Sequence, residues 1–320
     1  MASSHPGPKP PRAAARPAGD SAPITSRDNR WLKEFRLALR GGVPTPSGCC
    51  GVEGVRLVEE ALGSGCRIEA VLFSESGERH RPRLAPFVNR AEMAFPVLRT
   101  SDRLFEGIAD TEHPQGVAAL VQPRTAELND LLHPSSRAVS PTTNALTGVA
   151  PLLVILVGVQ DPGNVGAIVR TAAAFGATGV ATCSSGQSGT ANPFGPKALR
   201  ASAGAALHLP ILAGMSLPIL LAQLRIGGVR TLASSVRELS DAQEGKNPAA
   251  PPLLPWEVDW REPVALLVGN EGAGLPEEAE RSADARVRIP MATTSESLNA
   301  AAAAAVLFYE AARQRNLLTP

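Results

Sequence analysis

Aromatic residues are scarce in this 320-residue sequence, and long apolar runs are missing. Because aromatic residues make up only 4% of the chain, its cores must be built mainly from Ala, Val, Leu and Ile. No apolar run approaches the roughly 18 to 20 residues that a helix needs to cross a bilayer. The first residues also lack the apolar core of a signal peptide. We therefore expect a cytoplasmic protein with no membrane association.

Cysteine is also rare, and its spacing argues against a metal site. The four cysteines are Cys49, Cys50, Cys66 and Cys183, and none shows the C-x-x-C spacing of a zinc site. Reduced, partly buried thiols fit a reducing compartment. The sequence predicts no bound metal.

The formal net charge of +1 is unevenly distributed. Two interpretations of the basic N-terminal region remain open, since it could lie along RNA phosphates or only aid solubility. A mitochondrial presequence is disfavoured because the many prolines would break an amphipathic helix. The acidic residues among the first 40 are Asp20, Asp28 and Glu34. The basic residues are more numerous: Lys9, Arg12, Arg16, Arg27, Arg30, Lys33, Arg36 and Arg40.

Composition and periodicity divide the chain into a tail, two folded regions and a linker. Residues 1–26, rich in Pro, Ala, Ser and Arg, are expected to be disordered. Residues 28–123 read as a small α/β domain with helices at 31–39 and 53–62 and strands at 68–73 and 117–121. Residues 134–150 carry turn formers and no periodicity, which is typical of a linker.

The second folded region, residues 151–320, alternates strands and helices. The fully apolar run at 152–157 indicates a buried parallel strand. This alternation predicts a parallel sheet covered on both faces. The Pro-rich stretch 247–255 is expected to be a surface insertion. Further strands are predicted at 179–182, 207–211, 229–233, 264–268 and 286–289, and helices at 164–175 (capped by Asn164), 197–205, 217–224 and 298–313.

A first segment that could carry chemistry is QDPGNVGAIVRTAAAFG, residues 160–176. Gly163 and Gly166 permit a tight turn from a strand into a helix whose N-terminus could hold an anion. The glycines do not match the G-x-G-x-x-G spacing, which disfavours a nicotinamide oxidoreductase. Arg170 is a charged residue in a helix that otherwise consists mainly of small, apolar residues. It either extends to solvent or serves a functional site.

Two later segments also join strand ends to polar loops. In LLVGNEGAGLPE, residues 266–277, a buried strand runs into a glycine-bearing loop that could approach a ligand closely. In VRIPMATTSESLNAAAAAAVLFYE, residues 287–310, Ser297 and Asn299 stand where side chains cap a helix. The alanine-rich helix that follows predicts a dimer interface or a tight internal crossing.

Taken together and in this order, the segments resemble the three motifs of the SpoU (TrmH-like) family of RNA ribose 2′-O-methyltransferases. The matching strings are DPGNVGAIVRTAAAFGA, LLVGNEGAGLP and IPMATTSESLNAAAAAAVLFYEA, with KALRASAG between the first two. The first folded region resembles the small substrate-binding domain of the family, which is related to ribosomal protein L30e. The strings that carry this resemblance are EGVRLVEEAL, residues 68–73 and HPQGVAALV. The resemblance implies a SPOUT-superfamily α/β fold with a C-terminal trefoil knot, S-adenosylmethionine as cofactor, and a homodimer.

The resemblance also implies the site residues. The catalytic set carried over comprises Asn164, Arg170, Glu271, Ser297 and Asn299, and the cofactor-binding set comprises Gly269, Asn270, Gly272, Ile289, Met291 and Leu298. One departure is local, because members usually have a glycine in the loop where this chain has Ala292, Thr293 and Thr294.

The expected activity is methyl transfer from S-adenosylmethionine to a ribose 2′-hydroxyl of RNA. Large-subunit ribosomal RNA is the expected substrate, because the small domain resembles that of ribosomal RNA enzymes. A tRNA ribose methyltransferase and a non-catalytic RNA-binding assembly factor are the alternatives.

Overall fold

The strands form two separate sheets, one in each half of the chain. The computed structural model describes residues 22–88, 95–133, 150–184, 189–235, 250–292 and 297–318. The strands are β1 (Cys50–Glu53), β2 (Arg67–Ser74), β3 (Val97–Thr100), β4 (Val117–Gln122), β5 (Leu152–Val157), β6 (Gly179–Cys183), β7 (Ile211–Met215), β8 (Arg230–Ser234), β9 (Val264–Val268) and β10 (Ala285–Val287). The helices are α1 (Arg30–Leu39), α2 (Val55–Gly63), α3 (Arg81–Val88), α4 (Asp102–Glu106), α5 (Leu128–Leu132), α6 (Pro162–Ala174), α7 (Pro196–Ala201), α8 (Leu217–Ile226), α9 (Glu277–Ser282) and α10 (Ala300–Gln314).

The N-terminal sheet has the order β1-β4-β2-β3. Strand β4 pairs antiparallel with both β1 and β2, while β3 lies parallel to β2. Helix α1 packs against this sheet through Leu32, Phe35 and Leu39, which are all buried. The small domain is therefore a mixed α/β unit.

The C-terminal sheet has the order β10-β8-β9-β5-β6-β7, and all its pairings are parallel. Every residue of the central strand β5 is buried. Its side chains alternate between two cores, with Leu152, Val154 and Leu156 on the side of α6 and α10. Leu153, Ile155 and Val157 pack on the side of α8. The expected parallel sheet covered on both faces is confirmed.

The last helix returns from the edge of this sheet to its middle. Strand β10 lies at the edge beyond β8, whereas α10 packs against α6. Strands β8 and β9 therefore lie between β10 and the central strand β5 that precedes α6. Just after α10, the Arg315 guanidinium donates to the carbonyl oxygens of Trp260 and Pro151 at 2.6 and 3.0 Å, which fastens the helix end.

The two halves of the chain are joined by direct contacts as well as by the chain itself. The Arg200 guanidinium pairs with the Asp110 carboxylate at 2.6 Å, and His208 lies 3.2 Å from Glu60. The thiol of Cys66 donates to the Leu207 carbonyl at 3.3 Å. Helix α7 and the short 3-10 helix at Ala205–Leu207 thus form the contact between the domains.

Several sequence expectations are corrected. The helix expected at 197–205 ends at Ala201, because Ala203 and Gly204 have positive φ angles of 50° and 85°. The strand expected at 207–211 instead begins at Ile211. In the stretch expected to be a surface insertion, Leu253 pairs with Val287 of β10, so the described part extends the sheet.

The disorder expected for residues 1–26 does not extend to Ile24. This side chain is buried, and its backbone forms a bridge with Thr100 of β3. The rest of the expected tail, 1–21, and nearly all of the expected linker, 134–149, lie outside the described residues.

The four cysteines are buried and form no disulfide. Burial raises the pKa of the Cys50 and Cys183 thiols to about 12. Because the thiolate is the reactive form, these side chains are inert near neutral pH. No helix within the described ranges is long and apolar enough to cross a membrane.

Candidate active site

The start of α6 is fixed by Asp161 rather than by Asn164. The Asp161 carboxylate caps the helix by accepting hydrogen bonds from the backbone N–H groups of Gly163 and Asn164. The expectation that Asn164 caps the helix was therefore wrong. Pro162 occupies the first helical position, where its missing N–H costs nothing, so Asp161–Pro162 was the sequence signal for this boundary.

Because the Asn164 side chain does not cap the helix, it can form hydrogen bonds that connect the first motif to the other two. Its amide nitrogen donates to Oε1 of Glu271 at 3.0 Å. Its oxygen accepts from the Asn299 amide at 3.1 Å. Asn299 also caps α10 by accepting from the N–H groups of Ala301 and Ala302. Three residues far apart in sequence thus meet at one end of the sheet.

The Glu271 carboxylate is held on several sides. Besides Asn164, it accepts from the backbone N–H groups of Gln160 at 3.2 Å and Asp161 at 3.1 Å. The loop that presents Glu271 follows β9 and closes on itself through paired backbone hydrogen bonds between Asn270 and Gly274. A side chain at Gly269 would collide with the backbone of Gly274. The close loop therefore requires glycine at position 269.

Asn270 connects this loop to the loop that follows β5. Its amide nitrogen donates to the Gly158 carbonyl at 3.0 Å, and its oxygen accepts from the N–H groups of Gly272 and Ala273 at 2.9 Å each. The loop after β9 is thereby tied to the loop after β5.

The electrostatics of the network favour two ionised carboxylates. The hydrogen bond from Lys197, at 3.1 Å, and those from two backbone N–H groups hold the pKa of Asp161 below its ordinary value. Burial by itself would raise the pKa of Glu271, but the hydrogen bonds from Asn164 and from backbone N–H groups together lower it. Both groups are anionic at neutral pH.

Arg170 and Ser297 stand apart from this hydrogen-bonded network. Arg170 lies on the exposed side of α6, and within the described residues its guanidinium has no hydrogen-bonded or ionic partner. Ser297 is exposed as well, and the described part of the chain offers it no hydrogen bond. Arg170 is thus exposed to solvent on α6.

Three of the expected cofactor residues share one pocket. Ile289, Met291 and Leu298 line it together with Ser234, Ser235, Val287, Ala303 and Leu307. The lining is mainly apolar and lies beside β8 and β10. Gly269, Asn270 and Gly272 belong to the neighbouring loop and not to this lining. Thr293 and Thr294, where the family pattern has a glycine nearby, fall outside the described residues.

A larger cavity, of about 580 Å³, lies in the small domain. Ile24, Ser74, Glu78 and Arg99 are among its lining residues, and none of the three motifs contributes to it. Among the described residues, no group of three or more His, Cys, Asp or Glu side chains is arranged to hold a metal ion.

Asp161, Lys197, Ser234 and Ser235 were missed from the sequence. The Asp-Pro pair could have identified Asp161. Lys197 and the two serines could not be found in this way, because their positions depend on how α7 and β8 pack.

Two family patterns match the chain. Residues 151–309 match the SpoU rRNA Methylase family, and residues 52–126 match the RNA 2′-O ribose methyltransferase substrate binding domain. The first match covers the first two motifs and the third as far as Tyr309, and the second covers most of the N-terminal sheet.

Individual relatives match over nearly their whole length. An uncharacterized tRNA/rRNA methyltransferase of Synechocystis is 32% identical over 92% of this chain and 95% of its own. A 23S rRNA guanosine 2′-O-methyltransferase of Bacillus subtilis is 28% identical over 89% and 97%. The crystal structure of an AdoMet-bound rRNA methyltransferase from Sinorhizobium meliloti shares 28% identity, covers 93% of this chain and 99% of its own, and superposes with a TM-score of 0.70.

Proposed function

The chain belongs to the SpoU family of RNA ribose 2′-O-methyltransferases, and from this premise we propose that it methylates a ribose of 23S ribosomal RNA with S-adenosylmethionine as methyl donor. The observation that carries the proposal is the hydrogen-bonded junction of Asn164, Glu271 and Asn299, which unites the three family motifs beside an apolar pocket.

The residues present fit S-adenosylmethionine. The apolar side chains of Ile289, Met291 and Leu298 suit an adenine ring, and the nearby serine hydroxyls can meet polar edges. Gly269, Asn270 and Gly272 form the adjacent loop, whose glycines permit close backbone approach. The bound cofactor supplies an electrophilic methyl group, so the protein is left to align the ribose and assist loss of the hydroxyl proton.

Arg170 is the residue that we assign to the substrate ribose. A guanidinium stays charged near neutral pH, so it does not serve as a simple general base. Its fixed, planar donors instead orient the 2′-hydroxyl and the adjacent phosphate and stabilise negative charge that develops on the oxygen. Asn164 and Glu271 hold the start of the helix that carries Arg170, and are positioning residues. Ser297 and Asn299 shape the nucleotide pocket.

Ribosomal RNA is favoured over tRNA as the substrate. Relatives from Bacillus subtilis, Streptomyces viridochromogenes and Ralstonia nicotianae are named for 23S rRNA. The alternative of a non-catalytic assembly factor would leave the aligned Asn164–Glu271–Asn299 network without a purpose. An enzyme that modifies ribosomal RNA works where ribosomes are made, and we therefore assign this one to the cytoplasm.

The finer features of the fold belong to the same proposal. The packing of α10 against α6, with β8 and β9 between β10 and the centre of the sheet, supports the C-terminal trefoil knot that we propose. We assign the N-terminal unit to the L30e-like class, because it is a mixed sheet matched by the substrate-binding family. We also propose a homodimer, formed through α10, where Val306 and Tyr309 remain 43% and 50% exposed.

Two measurements test the proposal. Calorimetric titration of the full chain with S-adenosylhomocysteine should show saturable binding, and no detectable heat from the folded protein would contradict the cofactor assignment. Mapping of 2′-O-methyl sites in RNA from a strain that lacks the gene should reveal a lost site in 23S rRNA. A lost site in tRNA would favour the alternative substrate.

A further inference from the structure

Helix α1 presents a cationic face that neither family match assigns. The matched segments are residues 52–126 and 151–309, so α1 lies outside both. Leu32, Phe35 and Leu39 point into the core. At about 100° per residue, Arg30, Lys33, Arg36 and Arg40 occupy roughly a third of the circumference on the opposite side.

The described residues neutralise only part of this charge. Arg30 pairs with Glu34 at 3.2 Å and Lys33 with Asp28 at 3.3 Å. Arg36 and Arg40 instead share a carbonyl, that of Gly107, each at 3.5 Å. In the described ranges neither has a carboxylate partner. Two guanidinium groups without a carboxylate among the described residues therefore stand one helical turn apart on the surface.

The cationic face continues toward the candidate active site. The carbonyl that binds Arg36 and Arg40 belongs to the loop that also carries Asp110, the partner of Arg200 on α7. The chain just after α1 reaches α7 directly, since a side chain at Gly42 would lie 3.6 Å from Pro196. The next residue, Lys197, is 59% exposed and pairs with Asp161 at the start of α6. An unbroken series of contacts thus links α1 to the motif that contains Asn164.

We infer that the face of Arg36 and Arg40 on α1, continued by Lys197 and Arg200 on α7, binds the phosphate backbone of the RNA substrate and directs it to the site. The inference rests on the proposed function for the identity of the partner. Guanidinium groups match phosphate geometry, and a row of cations along the surface suits a polyanion. The ten-residue helix is about 15 Å long, or roughly four phosphates of a duplex strand.

The test compares Arg36→Gln/Arg40→Gln with a control, Arg225→Gln/Arg261→Gln. Both variants lose two positive charges, but the control residues are exposed arginines of other surfaces. The probe is in vitro transcribed 23S rRNA, followed by fluorescence anisotropy at several salt concentrations. We expect the α1 variant to raise the Kd about tenfold and to lower the salt slope by roughly 1.4 to 1.8, the value for two lost phosphate contacts. The control should bind within about twofold of the wild type.

A charge-preserving variant separates charge from local structure. Arg36→Lys/Arg40→Lys should keep near-normal RNA affinity, whereas a role only in holding the Gly107 loop would make it as weak as the glutamine variant. With S-adenosylhomocysteine binding intact, kcat at saturating RNA should be unchanged and KM should rise. Equal RNA affinity of the α1 and control variants would overturn the inference. Wild-type protein that binds RNA but transfers no methyl group would instead refute the proposed function, and the binding comparison would still decide the role of α1.

Discussion

Arg170 is the residue whose proposed role separates catalysis from structure most sharply. It is exposed on α6, and no hydrogen bond or ion pair within the described part of the protein accounts for it. Its helix is otherwise built from small and apolar residues. Arg170 is six residues beyond Asn164, whose hydrogen bond to Glu271 anchors the start of the same helix.

The Arg170→Lys variant should remain folded and bind S-adenosylhomocysteine normally, yet transfer methyl groups roughly 100-fold more slowly, the scale of a lost, positioned electrostatic contact. Lysine keeps the charge but cannot reproduce the planar fork. Single-turnover transfer of labelled methyl to RNA measures this. Near-normal rates would show that Arg170 only extends to solvent.

The carboxylate of Glu271 predicts a pH-dependent contribution to stability. Its pKa is lowered in the folded protein, so the stabilisation is complete above the unfolded value of about 4.3 and is lost as the pH falls through the folded value. Glu271→Gln should lower the Tm by roughly 3 °C at pH 7. The difference from the wild type should shrink below about pH 4. A difference that stayed constant with pH would contradict the ionised state of Glu271.

At the scale of single residues, the sequence pointed to side chains that the fold brings together, but not to all their contacts. Asn164, Glu271 and Asn299 were expected at the site and lie in hydrogen-bond contact. Asn164 was expected to cap α6, and the cap proved to be Asp161. Local pattern alone cannot show that the Asn164 amide faces Glu271, 107 residues away.

At the scale of elements, a glycine permits α6 and α7 to pack closely against each other. A Cβ at Gly166 would lie 2.6 Å from Ala201 Cβ and 2.9 Å from the Ser202 nitrogen, and would collide with the Ala198 carbonyl. These are mostly backbone atoms, which cannot move aside cheaply. Since Lys197 of α7 also contacts Asp161, the close packing of these helices supports the start of α6.

Gly166→Ala should therefore destabilise the protein by about 2 kcal/mol, the usual cost of overpacking, and lower the Tm by roughly 4 to 8 °C. The matched control is Gly189→Ala, because no described residue lies within 4 Å of a Cβ at that exposed position. Thermal unfolding of both variants provides the comparison. Equal melting temperatures would mean that the helices can separate without cost.

The pattern of apolar residues predicted the bounds of the secondary structure best for the fully buried strands. The apolar run of β5 and the strand β9 were placed at their observed bounds. The stretch between α7 and β7 was predicted wrongly, because the left-handed backbone at Ala203 and Gly204 ends the helix early. That turn is set by packing against the small domain, where Gly204 abuts Glu60 and Leu57. The local sequence pattern does not predict such a contact between domains.

At the scale of the whole molecule, the apolar side chains left on α10 require an explanation. Val306 and Tyr309 are about half exposed, while Leu307 and Phe308 between them are buried. The helix thus has one face in the core and a second apolar face outside it. A second copy of the chain is the occupant that we propose for this outer face.

Val306→Glu should convert the dimer into monomers of 33.2 kDa, because a buried unpaired charge would oppose association. Ile226→Glu is the control, since Ile226 is an apolar residue of α8 that is 88% exposed. Light scattering at micromolar concentration should give twice the monomer mass for the wild type and the control. A wild-type particle of monomer mass would contradict the proposed assembly.

The central claim is that this chain methylates the ribose 2′-hydroxyl of RNA. The most direct test incubates the purified protein with methyl-labelled S-adenosylmethionine and unmodified 23S rRNA, then digests the RNA and identifies the labelled nucleoside by mass spectrometry. The account predicts one 2′-O-methylated nucleoside, from one position, with wild-type protein and at least about 100-fold slower labelling with Arg170→Lys. Label on a base, or no label from protein that binds both S-adenosylhomocysteine and RNA, would contradict it.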